Sequence, residues 1–176
     1  YNKSQSEKMT IDMSTKIGQL LNLINAIPKL TVSVIKGPCI AGGFGMACAT
    51  DVIITMHDSD FRLSETRLGL TPSQIAPYIL RKIDYSKARL LMLLGDSING
   101  KHAYDIGLAD YLATTEKELQ DHIDQLKSKL NKCSPNAFAN TKSLVLKHAS
   151  KNIQEAAELF SECVRHPEGK EGLESF

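Results

Sequence analysis

A glycine-rich run and a single glutamate are the parts of this sequence whose residue types could carry chemistry. The run covers residues 37–45, Gly-Pro-Cys-Ile-Ala-Gly-Gly-Phe-Gly, between a predicted strand and an apolar helix predicted to reach Ala49. Glycines let the backbone approach a ligand closely, and the first N–H groups of a helix lack intrahelical partners. Such donors could hold a developing oxyanion. A tight, closely packed turn explains the same pattern, and the pattern alone favours that interpretation.

The glutamate is Glu65, in the segment Ser-Glu-Thr-Arg-Leu-Gly-Leu-Thr-Pro at residues 64–72. It follows a short predicted strand and precedes a loop that contains glycine and proline. A carboxylate that is partly buried near an oxyanion site could act as a general acid or base. The alternative is a surface glutamate paired with Arg62 or Arg67, and position alone favours the alternative.

Other catalytic patterns fit the sequence less well. No G-x-S-x-G segment and no P-loop is present, and the histidines have no partners at motif spacing. Gly42, Gly43 and Gly45 loosely resemble a dinucleotide-binding loop, but no acidic partner for a ribose is evident. The four cysteines form no C-x-x-C pair and have no histidine at zinc spacing. The sequence therefore predicts no metal site.

Strands and helices alternate in the first half of the chain, and helices alone fill the second half. The predicted strands are residues 30–35, 51–56, 61–63 and 108–112. The predicted helices are residues 9–27, 73–83, 86–94, 99–105, 116–130, one that starts at Ser134 and Pro135, and 152–164. We expect a kink at Pro77 in the second helix, an end at Gly95 for the third and a cap from Asn99 on the fourth. A Thr115–Glu118 capping box opens the helix at 116–130, and Ser134 with Pro135 opens the next one. This order predicts an α/β core followed by a helical C-terminal part.

The composition argues against several classes of protein. The chain has 176 residues, which suits one domain, with 42% apolar and 23% charged residues and a net charge of +1. A nucleic-acid-binding protein would normally carry a basic excess. We see no apolar run of membrane-spanning length and no signal peptide, so we expect no membrane partner. The cysteine usage favours a reducing, cytoplasmic setting.

Four segments, in order, resemble the crotonase (enoyl-CoA hydratase/isomerase) family. They are residues 27–51 with the glycine-rich run, 61–72 with Glu65, 95–110 and 167–176. The resemblance implies an α/β fold with a ββα spiral core over residues 1–110 and a C-terminal helical trimerisation region over residues 111–176. It also implies that the N-terminal strands of the spiral are missing here, in line with the polar start at Tyr1.

The resemblance assigns roles to individual residues. In this family two backbone N–H groups hold the thioester oxygen of an acyl-CoA. Gly42 matches the position of one donor, and the other belongs to an N-terminal loop that is absent here. Around that donor we expect contacts with the substrate from Ala41, Gly43, Gly45 and Ser73.

The family's hydratases typically use two glutamates around a water molecule. Glu65 matches the second, whereas the first falls on Gly45, which has no side chain. A single glutamate also resembles the Δ3,Δ2-enoyl-CoA isomerases, and the glycine could mark a non-catalytic assembly or binding protein. Residues 63–78 look most like bacterial methylglutaconyl-CoA-type hydratases, some of which also have glycine there. We therefore favour a hydratase over an isomerase; a hydrolase is less favoured, because its serine nucleophile would lack an evident base.

The resemblance also implies partners. The substrate would be an acyl-CoA, with coenzyme A as part of it and no metal or redox cofactor. We expect a homotrimer or hexamer formed through the C-terminal helices. The contact would be an apolar stripe on the helix predicted at residues 152–164, with side chains at helical spacing: Ile153, Ala156, Leu159, Phe160 and Val164. The alternative is that this stripe packs only inside its own subunit. We expect residues 1–176 alone to be inactive and poorly soluble, with an unpaired strand edge beside residues 31–35.

Overall fold

Short strands joined by helices make up the part of the chain that contains the glycine-rich run. A computed structural model describes residues 3–147 and 153–175. The helices are α1 (Lys3–Ala26), α2 (Gly42–Ala49), α3 (Ala76–Lys82), α4 (Tyr85–Leu94), α5 (Gly100–Asp105), α6 (Glu116–Leu130), α7 (Pro135–Leu146), α8 (Ile153–Arg165) and α9 (Pro167–Glu174). The strands are β1 (Val32–Ile35), β2 (Cys39–Ile40), β3 (Val52–Met56), β4 (Asp60–Arg62), β5 (Ser97–Asn99) and β6 (Tyr111–Ala113). A 3-10 helix follows β4 at Glu65–Leu68.

The residues group into two compact units. One contains the described residues up to 25 together with residues 31–123, and the other contains residues 26–30 and the described residues from 124 onward. The first unit holds all the strands given above, and the second is helical. The predicted division into residues 1–110 and 111–176 came from the family resemblance and stays a prediction.

The first unit contains two small sheets. In one, β3 lies between β1 and β6 and is parallel to both, with Val32 opposite Val52 and Ile54 opposite Tyr111. The outer edge of β1 has no strand partner in the described part of the chain. In the other sheet, β4 lies between β2, which is parallel to it, and β5, which is antiparallel.

A buried apolar cluster holds the two sheets and their helices together. Phe44 of α2 and Phe61 of β4 are each 1% exposed, and their rings meet edge to face at 5.7 Å. An edge-to-face pair of buried rings adds to the stabilisation from area burial alone. Leu21 of α1 and Ile79 of α3 are buried in the same cluster. The cluster therefore fixes α2 against the strand that leads to Glu65.

Several predicted element ends are confirmed, and others are wrong. Gly95 ends α4 in the left-handed conformation that favours glycine, and Asn99 caps α5. Pro77 causes no kink, because the helix begins at Ala76 and a proline is tolerated in the first turn. The strand at Cys39 was not predicted, because two residues are too few to show a strand pattern.

One further prediction in the same unit is wrong and another is confirmed. The strand predicted at residues 108–112 is shorter and shifted, at Tyr111–Ala113. At the start of α6 the N–H of Glu118 donates to the hydroxyl oxygen of Thr115 at 3.2 Å, as the predicted capping box requires. The Glu118 carboxylate also accepts hydrogen bonds from the N–H and the hydroxyl of Thr114. These two bonds lower the pKa of the Glu118 carboxyl, because they stabilise its charged form.

In the helical unit, hydrogen bonds connect the start of α7 to Glu168 of α9. Ser134 caps α7 by accepting a hydrogen bond from the N–H of Ala137, as predicted. The Glu168 carboxylate accepts hydrogen bonds from the Ser134 hydroxyl and from the N–H of Asn136, at 2.9 Å for the latter. Both bonds lower the pKa of Glu168, the hydroxyl contributing most. These hydrogen bonds therefore fix the start of α7 against α9.

The predicted packing stripe on α8 is described only in part. The side chains of Ile153 and Ala156 lie outside the described residues. Phe160 is 71% exposed, so its ring does not pack inside its own unit, whereas Leu159 and Val164 are half-buried. Within residues 3–147 and 153–175, no helix combines the length and the apolar character that a membrane span requires.

Candidate functional site

The turn between β2 and α2 places the glycine-rich run at one edge of the second sheet. Ala41 has φ 49° and ψ −117°, and it is the one described non-glycine residue with positive φ. Such a backbone costs about 1–3 kcal/mol and needs support from its surroundings. The N–H of Ala41 donates to the carbonyl oxygen of Arg62 at 2.9 Å, and the carbonyl oxygen of Ala41 accepts from the N–H of Gly45 at 3.1 Å. These two bonds hold the strained turn in place.

The first turn of α2 leaves its backbone donors free. No side chain caps the helix, and no hydrogen bond to the N–H groups of Gly42, Gly43 or Phe44 is found among the residues that the structure describes. A Cβ added at Gly42 or at Gly43 would meet no atom within 4 Å. Open space in front of unpaired donors at a helix N-terminus suits an oxygen that carries negative charge.

Glu65 comes to the same edge because β2 and β4 run parallel. Ile40 at the end of β2 lies opposite Arg62 at the end of β4. Gly42 follows β2 and Glu65 follows β4, so both residues come after the carboxyl ends of neighbouring parallel strands. The structure thus places both candidates just after paired parallel strands, although the sequence has them in separate segments.

The Glu65 carboxylate has an unusual environment. Its Oε2 atom is buried and has no hydrogen-bond partner within the described residues. A buried carboxylate oxygen without a partner is costly, so it marks a place where a ligand or a water molecule would be stabilising. This is the environment expected of a general acid or base.

The alternative interpretation of Glu65 as a surface residue paired with an arginine is wrong. Arg62 pairs with Asp60 at 2.7 Å. Arg67 donates from Nε to the carbonyl oxygen of Leu94 at 3.0 Å and lies 3.5 Å from Asp96. Neither arginine reaches the Glu65 carboxylate, so its charge is not neutralised by the neighbours that the sequence suggested.

Gly45 lies one turn into α2 and is buried. A Cβ at this position would lie 2.0 Å from Cγ2 of Ile75 and 2.5 Å from its Cβ. Position 45 is therefore closed to any side chain while Ile75 stays where it is. Ile75 was not among the predicted site residues, because nothing local in the sequence links it to Gly45.

The remaining predicted site residues are placed as follows. Ala41 and Gly43 lie in the turn beside Gly42, whereas Ser73 is exposed in the loop before α3. Their contacts with a substrate stay predictions. In the described residues, no group of three or more histidine, cysteine, aspartate or glutamate side chains is arranged to hold a metal ion.

The cysteines near the turn are poor nucleophiles. Burial raises the pKa of the Cys39 thiol to about 11, and burial also raises the pKa of Cys48 well above its usual range. A thiol with a raised pKa is protonated at neutral pH, and the thiolate is the reactive form. Both residues belong to the apolar core, Cys39 within the glycine-rich run and Cys48 in the helix that follows it.

Comparison with known proteins identifies the class to which this fold and site belong. A sequence model of the enoyl-CoA hydratase/isomerase family matches residues 2–176. The chain belongs to this family.

Individual relatives support the same conclusion. The chain is 35% identical to the enoyl-CoA hydratase AFT6-1 of Alternaria alternata, over 76% of this chain and 45% of that protein. It is 32% identical to the mitochondrial methylglutaconyl-CoA hydratase 1 of Pyricularia oryzae, over 58% of this chain and 31% of that protein. The solved structure of AtuE from Pseudomonas aeruginosa is 35% identical and superposes with a TM-score of 0.90, over 94% of this chain and 66% of that one.

These comparisons confirm the predicted crotonase-like α/β fold. The match to AFT6-1 spans less than half of that relative, and the match to AtuE spans about two thirds of that structure.

Proposed function

We propose that this chain carries the general acid–base and one oxyanion donor of an enoyl-CoA hydratase-type lyase. The observation that carries the proposal is the buried, unpaired Oε2 atom of Glu65 at the sheet edge where the free N–H groups of α2 begin. A base and an oxyanion donor at one edge suit proton transfer next to a thioester carbonyl. Membership of the enoyl-CoA hydratase/isomerase family supports the same chemistry.

In the proposed reaction the N–H of Gly42 donates to the thioester oxygen. Glu65 takes a proton from water while the water oxygen bonds to the β-carbon, and the electron pair of the double bond moves through the α-carbon to the thioester oxygen. The resulting enolate is stabilised by the N–H donor. Glu65 then gives the proton to the α-carbon, so one water is added and the carboxylate is restored.

The second candidate is an enoyl-CoA isomerase, and the closed space at Gly45 favours it. Water addition gains from a second polar group that orients the water, and Ile75 leaves no room for a side chain there. In an isomerase, Glu65 removes a proton from the α-carbon and returns it to the γ-carbon, so the double bond moves into conjugation. This shift needs only one carboxylate.

We propose an acyl-CoA substrate in which coenzyme A is part of the substrate and no further cofactor takes part. A branched, methylglutaconyl-type acyl group is the finer proposal, supported by the likeness to the Pyricularia oryzae hydratase. The third candidate, a non-catalytic assembly or binding protein, would leave the Glu65 carboxylate without a role. A cytoplasmic location is part of the proposal and rests on cysteine usage.

We propose that the complete native protein forms homotrimers or hexamers. Two exposed apolar side chains that line the same depression support this, Phe160 on α8 and Leu173 on α9, because grouped apolar side chains at a surface are typical of protein–protein interfaces. Light scattering at micromolar concentration tests the assembly. A single species at the monomer mass would contradict it.

Turnover of crotonyl-CoA and methylglutaconyl-CoA by the complete native protein tests the proposed activity. We expect a product heavier by one water by mass spectrometry, or a shifted double bond from a 3-enoyl-CoA. No change in any of these substrates would contradict the proposed activity and favour the non-catalytic candidate. The same assay on the 19.4 kDa chain of residues 1–176 tests the expectation that it is inactive alone.

A further inference from the structure

The two residues that follow Glu65 are bonded to the end of α4. The hydroxyl of Thr66 donates to the carbonyl oxygen of Met92 at 3.2 Å. The Nε atom of Arg67 donates to the carbonyl oxygen of Leu94 at 3.0 Å. Both carbonyls belong to the last turn of α4, where carbonyl groups lack partners inside the helix. The 3-10 helix that begins with Glu65 therefore supplies donors that this helix end needs.

The strand side of Glu65 is bonded to the same stretch of chain. The N–H of Leu63 donates to the carbonyl oxygen of Asp96 at 3.4 Å, and the Asp96 carboxylate lies 3.5 Å from the guanidinium of Arg67. Both side chains of this ion pair are more than half exposed, so solvent screens it. Glu65 thus lies between residues that bond to positions 92–96, although its own Oε2 atom has no hydrogen-bond partner among the described residues.

The same residues pack closely against Gly95, which ends α4. A Cβ at Gly95 would lie 2.8 Å from Cγ of Arg67, 3.0 Å from the hydroxyl oxygen of Thr66 and 3.1 Å from the carbonyl oxygen of Leu63. The close approach leaves no room for a side chain there. Hydrogen bonds and packing together therefore fix the segment that carries Glu65 to the end of α4.

We propose that Thr66 and Arg67 are positioning residues, which hold the 3-10 helix at the end of α4 and thereby fix the place of the Glu65 carboxylate. The proposal rests on the proposed function, in which Glu65 moves the proton. A general base acts only within hydrogen-bond reach of the proton that it takes, and a displacement of about 1 Å can cost on the order of 10²-fold in rate. The bond to Leu94 also holds the Arg67 guanidinium away from the carboxylate, so this arginine does not neutralise it.

Paired variants of the complete native protein separate each hydrogen bond from the rest of its side chain. In Arg67→Gln the new Nε2 donor is three bonds from Cβ, as the arginine Nε is, so the bond to Leu94 can still form. In Arg67→Met the atom at that distance is a methyl carbon, and the bond is lost. Thr66→Ser keeps the hydroxyl, whereas Thr66→Val keeps the shape and loses it.

Hydrogen exchange of backbone amides tests the anchoring without any substrate. The N–H groups of Gly69 and Leu70 close the 3-10 helix on the carbonyl oxygens of Thr66 and Glu65. Both amides should exchange at least about 3-fold faster in Arg67→Met than in Arg67→Gln, and in Thr66→Val than in Thr66→Ser. Amides inside α6 are the internal control and should not change. Equal exchange within both pairs would overturn the anchoring.

The positioning role is tested by kcat and KM for the acyl-CoA substrates, per folded molecule. Thr66 and Arg67 donate to α4, so their loss should act on the chemical step and leave KM within about 2-fold. We expect kcat to fall about 10-fold or more in Arg67→Met and Thr66→Val, and to stay within about 3-fold in Arg67→Gln and Thr66→Ser. A purely structural role would lower the Tm without this fall in kcat.

Equal kcat within both pairs, or a loss carried by KM, would overturn the positioning role. If one variant of a pair does not fold, the other pair decides. If the unsubstituted protein converts no substrate, the proposed function fails and the positioning role fails with it. The exchange measurements then still decide the anchoring alone, so the two failures are distinguishable.

Discussion

Two strand-to-helix turns, one on either side of β4, have the same order of elements but differ in their hydrogen bonds and in the space around their glycines. The α2 turn connects β2 to α2 through Gly42, and the α5 turn connects β5 to α5 through Gly100. Each is a strand followed by a glycine at the first position of a helix. Because β2 and β5 both pair with β4, the two turns also share one sheet.

The α5 turn is closed. The Asn99 side chain accepts a hydrogen bond from the N–H of His102 at 2.8 Å, and the N–H of Lys101 donates to the carbonyl oxygen of His57 at 3.0 Å. A Cβ at Gly100 would lie 1.8 Å from the carbonyl oxygen of Met56. These contacts of the turn serve packing and capping.

The α2 turn is open in each of these respects. No side chain caps it, and Gly42 faces space. The carboxylate associated with each turn also differs in its pairing. Asp105 of α5 pairs with Lys101 at 2.7 Å, whereas Glu65 Oε2 has no hydrogen-bond partner among the described residues. A strand, a glycine and a helix therefore do not define a site; unused donors, free space and an unpaired carboxylate do.

The largest expected effect is the loss of the unpaired carboxylate. Glu65→Gln in the complete native protein keeps the shape of the side chain and removes its base, so turnover of an enoyl-CoA should fall by about 10²- to 10⁴-fold. Asp105→Asn, which removes a carboxylate already paired on the α5 side, is the control and should leave turnover near that of the unsubstituted protein. Rates unchanged by Glu65→Gln would remove Glu65 from the mechanism.

The next largest effect is the loss of the free donor. Gly42→Pro removes one N–H from the α2 turn, and the loss of one oxyanion donor typically costs about 10²- to 10³-fold in rate. Circular dichroism must show the native helix content, because the ψ of Ala41 is unusual for a residue before proline. Gly42→Ala, which keeps the N–H, should lose less activity. A folded proline variant with full activity would exclude this donor.

A stability measurement separates the open turn from the closed one directly. Gly100→Ala places a Cβ against the Met56 carbonyl oxygen and should cost about 1–3 kcal/mol of unfolding free energy. Gly42→Ala meets no atom within 4 Å and should change stability by less than about 0.5 kcal/mol. Chemical denaturation of both variants gives the difference, and equal costs would mean that the turns do not differ in packing.

The smallest effect concerns the cap that only the α5 turn has. Asn99→Ala removes the acceptor for the His102 N–H and should cost about 1 kcal/mol. Ala41, at the equivalent position before α2, supplies no side-chain cap, so Ala41→Ser should give no comparable gain. Its left-handed backbone does not have the extended conformation that a capping serine needs. A gain near 1 kcal/mol at Ala41 would contradict the described geometry.

The sequence predicted the order of elements and the two chemical segments, and the structure explains why it could not go further. Caps such as Asn99 and Ser134 act within three residues, so they are visible locally. The contact of Gly45 with Ile75 joins residues 30 positions apart, and the arrangement of Glu65 and α2 after neighbouring strands depends on the pairing of β2 with β4. The strand at Cys39 that makes this pairing is too short to predict.

The sequence also could not predict that neither Arg62 nor Arg67 pairs with Glu65. Each arginine has its carboxylate partner elsewhere, one of them Asp60 two residues away and the other Asp96 across the fold. Charge spacing alone could not rank these partners, since all of them are within reach of an extended side chain.

Hydrogen exchange at the substrate tests the central claim most directly, because it asks only whether the open turn and Glu65 form an enolate. The complete native protein is incubated with a saturated acyl-CoA, butyryl-CoA, in D₂O, and deuterium at the α-carbon is followed by mass spectrometry. We predict incorporation well above the rate in buffer, and a loss of about 10²-fold or more in Glu65→Gln. Exchange that equals the buffer rate, or that survives unchanged in Glu65→Gln, would contradict the account.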